Sequence, residues 1–301
     1  MIARASSEER RRQHRDEEED RAIAHGPERS RPSLDRKRRS YAAPVALPPH
    51  RPPSYHPPVD RPTGYEPLYV LKPVAPDVWL ADGGWIRFYG LPFPTRMTVI
   101  RLADGGLWVH APIADHAGLA DAVAALGPVR HLIAPNWIHY AWLPAWRARF
   151  QGATTWGSPG VRARAASRSV QIHLDHELGD VPPTPWSGQI DQRLADSGYH
   201  REVIFFHRPS RTLILTDLIE NFEPAKIPWW ARPLIRLGGV CDPDGRMPRD
   251  MAASFRRRPG HLRDLVDTMI AWSPERIILA HGRWYADDAV AELRRAFRSV
   301  R

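Results

Sequence analysis

Three short apolar runs, each ending on polar residues, constrain this chain more than any other feature. Arg130-His131-Leu132-Ile133 leads into Ala134-Pro135-Asn136-Trp137-Ile138-His139-Tyr140. Leu213-Ile214-Leu215 ends on Thr216-Asp217, and Ile277-Ile278-Leu279-Ala280 ends on His281-Gly282. Apolar runs of this length, bounded by turn residues, read as buried strands. A sheet fixes the position of whatever follows its strand ends, and such ends commonly face a cleft. The expectation is that the three ends meet and bring an imidazole, a carboxylate and a second imidazole to one place.

A chain of 301 residues with 43% hydrophobic residues has material for one large domain or two small ones. The net charge of +9 invites a nucleic-acid reading, but lysine occurs only at Lys37, Lys72 and Lys226, and the arginines are spread along the chain. No nucleic-acid motif accompanies them, so a nucleic-acid partner is not expected. The single cysteine, Cys241, excludes an intramolecular disulfide and a cysteine-based zinc cage. No apolar run approaches the ~20 residues needed to span a bilayer, and the charged N-terminus lacks the apolar core of a secretory signal. A cytoplasmic location is the default expectation.

Residues 1–64 read as a charged and proline-rich disordered extension, and residues 65–301 as the folded domain. Residues 1–40 are dominated by runs such as Asp16-Glu17-Glu18-Glu19-Asp20 and Arg36-Lys37-Arg38-Arg39, which offer too little apolar surface to offset chain entropy. Residues 41–76 hold eleven prolines and read as an extended linker. Strand-like segments follow at Val78–Ala81, Met97–Leu102 and Leu107–His110, with Asp104-Gly105-Gly106 as a hairpin turn. Asp115 is placed to cap a helix through Leu119, Val123 and Leu126 that stops at Gly127. Leu143–Phe150 and Val161–Ser169 read as helices, with Thr154–Trp156 a strand between them. The stretch from His176 to Gly198 shows no clear pattern. Glu202–His207 and Thr212–Leu215 form a hairpin. Ala225–Val240 reads as an amphipathic helix broken at Pro228 and Pro233, either lidding the core or touching a partner, with core packing the safer reading. Pro248–Trp272 reads as one long helix, and Asp287 or Asp288 opens the last.

With these strand ends in place, the region from about Tyr69 to Arg301 resembles the metallo-β-lactamase-like superfamily, and within it the DUF4336 family. The residues that carry the resemblance are Ala134-Pro135-Asn136-Trp137-Ile138-His139, Phe205-Phe206-His207-Arg208-Pro209-Ser210-Arg211-Thr212-Leu213, Thr216-Asp217-Leu218 and Leu279-Ala280-His281-Gly282. The resemblance implies an α/β fold, an αββα sandwich with its cleft along one edge of two packed sheets. The superfamily's metal motif, His-x-His-x-Asp-His, falls on Ala134, Asn136, Ile138 and His139, so only the last histidine is kept. Its later bridging Asp falls on Asp217 and its final His on His281. His200 lies near the place of a further His without the usual glycine beside it.

In that superfamily zinc or iron is held by imidazoles and a carboxylate and polarises water into a nucleophile. His139, Asp217 and His281 are too few donors for two metals but match one open site for zinc or iron(II). Asn136 is at most a weak oxygen ligand or a partner of the ligands. Trp137 and Tyr140 are expected to line the pocket, with His200 and Glu202 as further candidates. Ile138 stands where the superfamily has the Asp that orients the hydrolytic water. Two readings stay open: a mononuclear metal-dependent hydrolase of unknown small-molecule substrate, or a non-catalytic binding or scaffold protein that keeps the fold without metal. Under the second, His139 bonds within a buried turn, Asp217 caps the segment after it and His281 holds a turn. Oligomeric state is open in both.

Overall fold

The computed structural model describes residues 65–116 and 118–300, so the expected extension at 1–64 lies outside the described residues. The chain order is β1 (Lys72–Ala75), β2 (Val78–Phe88), β3 (Leu91–Arg101), β4 (Leu107–His110), α1 (Leu119–Leu126), β5 (Val129–Ala134), α2 (Leu143–Arg149), β6 (Thr154–Gly157), α3 (Val161–Ser167) and β7 (His176–Glu177). It continues with β8 (Ile190–Asp196), β9 (Arg201–His207), β10 (Thr212–Ile214), α4 (Arg232–Gly238), α5 (Arg249–Ser254), α6 (Pro259–Ala271), β11 (Arg276–Ile278) and α7 (Ala289–Ala296). One sheet runs β1 to β7 in sequence order, and the other runs β11-β10-β9-β8.

Side-chain alternation along the strands builds the layers. In β4, Leu107 and Val109 join a core with Leu119, Val123, Leu143 and Trp146, whereas Trp108 faces the opposite way. In β9, Val203 and Phe205 face the same middle core as Trp108, and Ile204 and Phe206 join Leu262, Leu265, Met269 and Leu293. In β11, Ile277 takes the helix side and Ile278 the middle. With period-2 alternation, both faces of each sheet are buried, one on helices and one on the other sheet. The result is the αββα sandwich expected from the resemblance. Among the described residues no helix is long and apolar enough to cross a membrane.

Several local expectations are corrected. β2 and β3 each run for 11 residues, beyond the expected Val78–Ala81 and Met97–Leu102, and take in Gly83-Gly84, Pro92 and Pro94. β3 pairs with β4 only over Thr98–Arg101, so the β4-facing edge of residues 91–97 carries no partner strand and proline there removes no ladder bond. The two glycines accompany a register shift between Gly83 and Trp85. β8 lies in the stretch read as unpatterned; its buried positions include Gln192 and Ala195, which break the apolar alternation. The long helix over 248–272 is split, because Pro259 lacks the N–H a continuing helix needs and instead opens α6. Asp288 precedes α7 in a left-handed conformation and makes no capping bond. Asp115 does serve the start of α1, accepting from the Ala120 N–H at 2.9 Å. Finally, the 225–240 segment buries Ile227, Ala231, Ile235 and Val240 but leaves Trp229, Trp230, Leu234 and Leu237 exposed, so half of its apolar surface is outside the core.

Candidate metal centre at the sheet edge

The two sheets are stitched together where the site forms. The backbone N–H of Val203 in β9 donates to the Pro135 carbonyl just past β5 at 2.8 Å, and Asn136 forms an antiparallel bridge with Glu202. At this junction Asn136 is fully buried and uses its whole side chain. Its Oδ1 accepts the backbone N–H groups of Ile138 and His139 at 2.8 and 2.9 Å. Its Nδ2 donates to Asp217 Oδ2 at 2.6 Å and Thr216 Oγ1 at 2.9 Å. An Asx side chain bonding its own backbone two and three residues on fixes a tight turn. That turn aims His139, and the same amide orients Asp217. Asn136 therefore supports the cluster as a partner of the donors, with its oxygen already accepting two backbone N–H groups.

Asp217 is placed by a second buried carboxylate. Glu202, fully buried on β9, accepts the N–H of Thr216 at 2.6 Å through Oε1, and those of Asp217 and Leu218 at 2.9 and 3.0 Å through Oε2. Three consecutive backbone donors converge on one anion, much as they do at a helix N-terminus. Glu202, a pocket-lining candidate in the sequence, is not among the residues that line the cavity and is instead an internal cap for the loop after β10.

Three donor atoms converge in front of this frame. His139 Nε2 lies 3.1 Å from Asp217 Oδ1, and His281 Nε2 lies 3.2 Å from the same oxygen. All three atoms lie within 4.8 Å of one another. His281 Nδ1 donates to the Pro94 carbonyl of β3 at 2.7 Å, which leaves Nε2 as its free electron pair. The turn that carries His281 is held from beneath by Arg96. This buried guanidinium pairs with Asp82 at 2.8 Å and donates to the carbonyls of Leu279 and Gly282, the latter at 3.0 Å. Gly282 is required in the turn: at φ +85° its added Cβ would meet the Asn221 carbonyl oxygen at 2.1 Å.

Burial works against charge on His139, but the adjacent Asp217 carboxylate outweighs it and raises the imidazole pKa above 6.5. Burial likewise opposes charge on Asp217, and the two imidazoles beside it hold its carboxyl well below the usual 3.8. His110, at the end of β4, is pushed down to about 3 by burial and by the nearby His139. Glu220 lines the same cavity, and burial together with Asp217, Asp250 and Glu202 keeps its carboxyl well above its ordinary value.

A second group of donors, His200, Glu202 and Asp217, also lies within 4.8 Å. It is less apt for a metal. Trp137 Nε1 donates to His200 Nδ1 at 2.9 Å, so a neutral His200 carries its proton on Nε2, the atom 3.6 Å from Glu202. Glu202 is itself saturated by backbone donors. The chain thus has two candidate clusters, and in the first a neutral His281 turns the electron pair of Nε2 toward the other donors.

The cavity above the donors has a volume of about 350 Å³. Trp137, His139, Tyr140, His200, Asp217 and His281 all line it. Its far wall comes from the β2–β3 hairpin and α4, through Phe88, Leu91, Leu234 and Ile235. Arg96 and Pro94 were not singled out from the sequence. Each acts through a backbone atom or a residue far along the chain, which leaves no local spacing to read. His207, at the end of β9, bonds Ser210 Oγ through Nδ1 at 2.7 Å.

The two-sheet sandwich with histidine and aspartate side chains gathered at its edge is of the metallo-β-lactamase type, and comparison with solved structures agrees on the fold. A metallo-β-lactamase from Pontibacter korlensis matches at 12% identity and TM-score 0.50, over 77% of this chain and 98% of that one. The DIM-1 metallo-β-lactamase matches at 12% and 0.53, over 77% and 95%. The FIM-1 enzyme from Pseudomonas aeruginosa, described in a mono-zinc form, matches at 10% and 0.51, over 81% and 98%. The chain belongs to the DUF4336 family, a domain of unknown function, whose model matches residues 78–229. No curated protein matches the sequence.

Proposed function

We propose that this protein is a mononuclear metal-dependent hydrolase with a reduced ligand set, in which His139, Asp217 and His281 hold one zinc or iron(II) ion. The observation that carries the reading is the convergence of two imidazole Nε2 atoms on one carboxylate oxygen, at 3.1 and 3.2 Å. Zinc–donor bonds of ~2.0–2.1 Å set tetrahedral donors roughly 3.3 Å apart, so the separations suit a shared cation. Two imidazoles and one carboxylate also match the donor chemistry of an open catalytic zinc or non-haem iron site. The ion would supply Lewis acidity for hydrolysis.

The remaining roles belong to the chain. Pro94 fixes the His281 tautomer through its carbonyl, and Asn136 holds Asp217 from the opposite oxygen. Such partners of the ligands commonly change metal affinity 10–100-fold when removed. Trp137 and Tyr140 wall the cavity and restrict water. The reaction class that fits is attack on a carbonyl or phosphoryl centre, with thioesters, lactones and phosphodiesters as the first substrates to try.

One observation favours a second reading, binding without turnover. Ile138 occupies the position where the superfamily's motif has an acidic residue, and Asn136, in place of a motif histidine, is consumed by hydrogen bonds. The two readings separate experimentally. Elemental analysis of protein purified without added metal should give one ion per chain, lost in both His139→Ala and His281→Ala while circular dichroism shows the fold retained. Wild-type protein that takes up no zinc or iron(II) on reconstitution sinks the metal assignment. Stoichiometric metal without hydrolysis of any of the three substrate classes favours the binding reading.

A further inference from the structure

We propose that the face formed by the tip of the β2–β3 hairpin and by α4 docks on an anionic lipid surface. The hairpin turns at Tyr89-Gly90, both with positive φ, at 48° and 74°, and projects Trp85, Arg87 and Tyr89 outward. Its alternate residues, Ile86 and Phe88, pack inward on the core of Ile227, Ala231 and Ile235. The period-2 alternation of one strand thus commits one face to the protein and leaves an aromatic face outside. The same division holds in and before α4. Ile227, Ala231 and Ile235 are buried, while Trp229, Trp230, Leu234 and Leu237 are 69, 47, 52 and 64% exposed. Folding has thus left several large apolar side chains in water on two packed elements. Grouped exposed apolar residues of this kind mark interaction sites.

Charge selects the occupant. Residues 224–240 contain Lys226, Arg232 and Arg236 and no carboxylate, and residues 83–96 contain Arg87 and Arg96 and none. Arg96 is buried and committed to Asp82, and Lys226 pairs with Glu223, but Arg87 and Arg236 are exposed beside the tryptophans and leucines. Tryptophan and leucine flanked by arginine, without acidic residues, is the composition of segments that seat in the headgroup region of an anionic membrane. Such a fluid surface accepts a protruding hairpin tip and a single short helix without a shape-matched partner. The face also adjoins the cavity: Tyr89 and Leu234 line its wall. Docking here would bring the cavity mouth against the bilayer, where an apolar substrate could pass without crossing bulk water. The inference does not depend on metal or on catalysis.

The test is co-sedimentation of the full chain with vesicles of phosphatidylcholine alone and of phosphatidylcholine with 30% phosphatidylglycerol, about a third of anionic lipid. The quadruple variant Trp229→Ser, Trp230→Ser, Leu234→Gln, Leu237→Gln and the pair Arg87→Glu, Arg236→Glu keep the whole arginine-rich N-terminal region, which is a binding control within each protein. Anionic vesicles should bind the wild type, and partitioning should fall roughly tenfold or more in the quadruple variant and clearly in the charge pair. Emission of the wild-type tryptophans should be quenched by brominated acyl chains, a readout independent of how the variants fold. Unchanged binding in both variants, no binding by the wild type, or no bromine quenching overturns the proposal. So does a lipid-free dimer that the quadruple substitution dissociates, because the face would then be a contact between copies.

Discussion

Replacing Glu202 by Gln is the sharpest test of how the site is built. The carboxylate is fully buried and accepts three consecutive backbone N–H groups, two of them on one oxygen. Glutamine keeps the shape and one carbonyl oxygen but exchanges the other oxygen for an NH2. In the better orientation the carbonyl oxygen stays on Asp217 and Leu218, and the new NH2 faces the Thr216 N–H. The variant then loses one charge-assisted bond, worth ~1.5–3 kcal/mol, and sets donor against donor in a dry place, leaving a buried N–H unsatisfied at ~1–3 kcal/mol. These overlap, so a total near 3 kcal/mol is expected. In a domain of this size that corresponds to a fall in Tm of about 6–12 °C. Urea unfolding followed by far-UV circular dichroism measures it. Metal content at a temperature where the variant is still folded separates stability from positioning, since the Thr216–Leu218 loop should shift and weaken metal retention. A stability loss below ~0.5 kcal/mol with metal binding unchanged would refute the claim that this anion organises the loop carrying Asp217.

Other outcomes follow from the same geometry. Asn136→Ala should leave the Ile138 and His139 N–H groups and Asp217 Oδ2 without their partners, costing ~2–4 kcal/mol and lowering metal affinity 10–100-fold, as equilibrium dialysis would read. Gly282→Ala should destabilise by more than ~2 kcal/mol in a denaturant titration, because the new Cβ meets the Asn221 carbonyl at 2.1 Å and the φ of +85° is strained for alanine. Arg96→Met leaves buried Asp82 with Lys72 as its one remaining ion-pair partner and frees the 279–282 turn, so a loss of ~3–5 kcal/mol in stability is expected by thermal unfolding. Acid should also destabilise the fold. His110 is held at about 3, and His131 and His207 at about 4, by burial, so between pH 6.5 and 4 the unfolded chain takes up protons that the folded chain refuses. Each should contribute a slope approaching ~1.4 kcal/mol per pH unit below pH 6, with stability falling as pH falls; a urea midpoint that rises from pH 7 to 5 contradicts this. His139 and Glu220, whose pKa values burial and neighbours raise in the folded state, act with the opposite sign. The raised pKa of His139 favours the folded state below 6.5, and that contribution is lost as pH rises through the folded value.

What the sequence disclosed and what it hid divide along a physical line. The strands at β4, β5, β9, β10 and β11 are legible because burial on both faces demands unbroken apolar runs such as Val203-Ile204-Phe205-Phe206. From those runs the three polar ends follow, and the structure brings His139, Asp217 and His281 to one point. β8 is hidden because its buried Gln192 is satisfied by Trp186 Nε1 and the Gly179 carbonyl, an option no hydrophobic pattern can register. The long hairpin of β2 and β3 is hidden because its prolines sit where no neighbouring strand needs their N–H.

The roles within the site that stayed invisible share a different cause. Glu202 acts on backbone N–H groups 14–16 residues away, and Arg96 on carbonyls more than 180 residues away. Backbone groups are identical in every residue, so a side chain whose partners are backbone leaves no second residue type to pair with in the sequence. A metal cluster is legible because its members must be histidine or carboxylate; the frame that aims them needs only amides. The same distinction explains Asn136. In the motif position it looks like a failed ligand, yet its one amide group turns the chain at His139 and holds Asp217 from behind. The asparagine at this position is therefore not idle. It joins two of the three donors through a single buried side chain, so a change at Asn136 should disturb His139 and Asp217 together, whereas a change at Arg96 should reach the donors through His281. A double substitution of Asn136 and Thr216 tests this coupling. Their effects on metal affinity should fall short of additive, because both side chains serve the same loop.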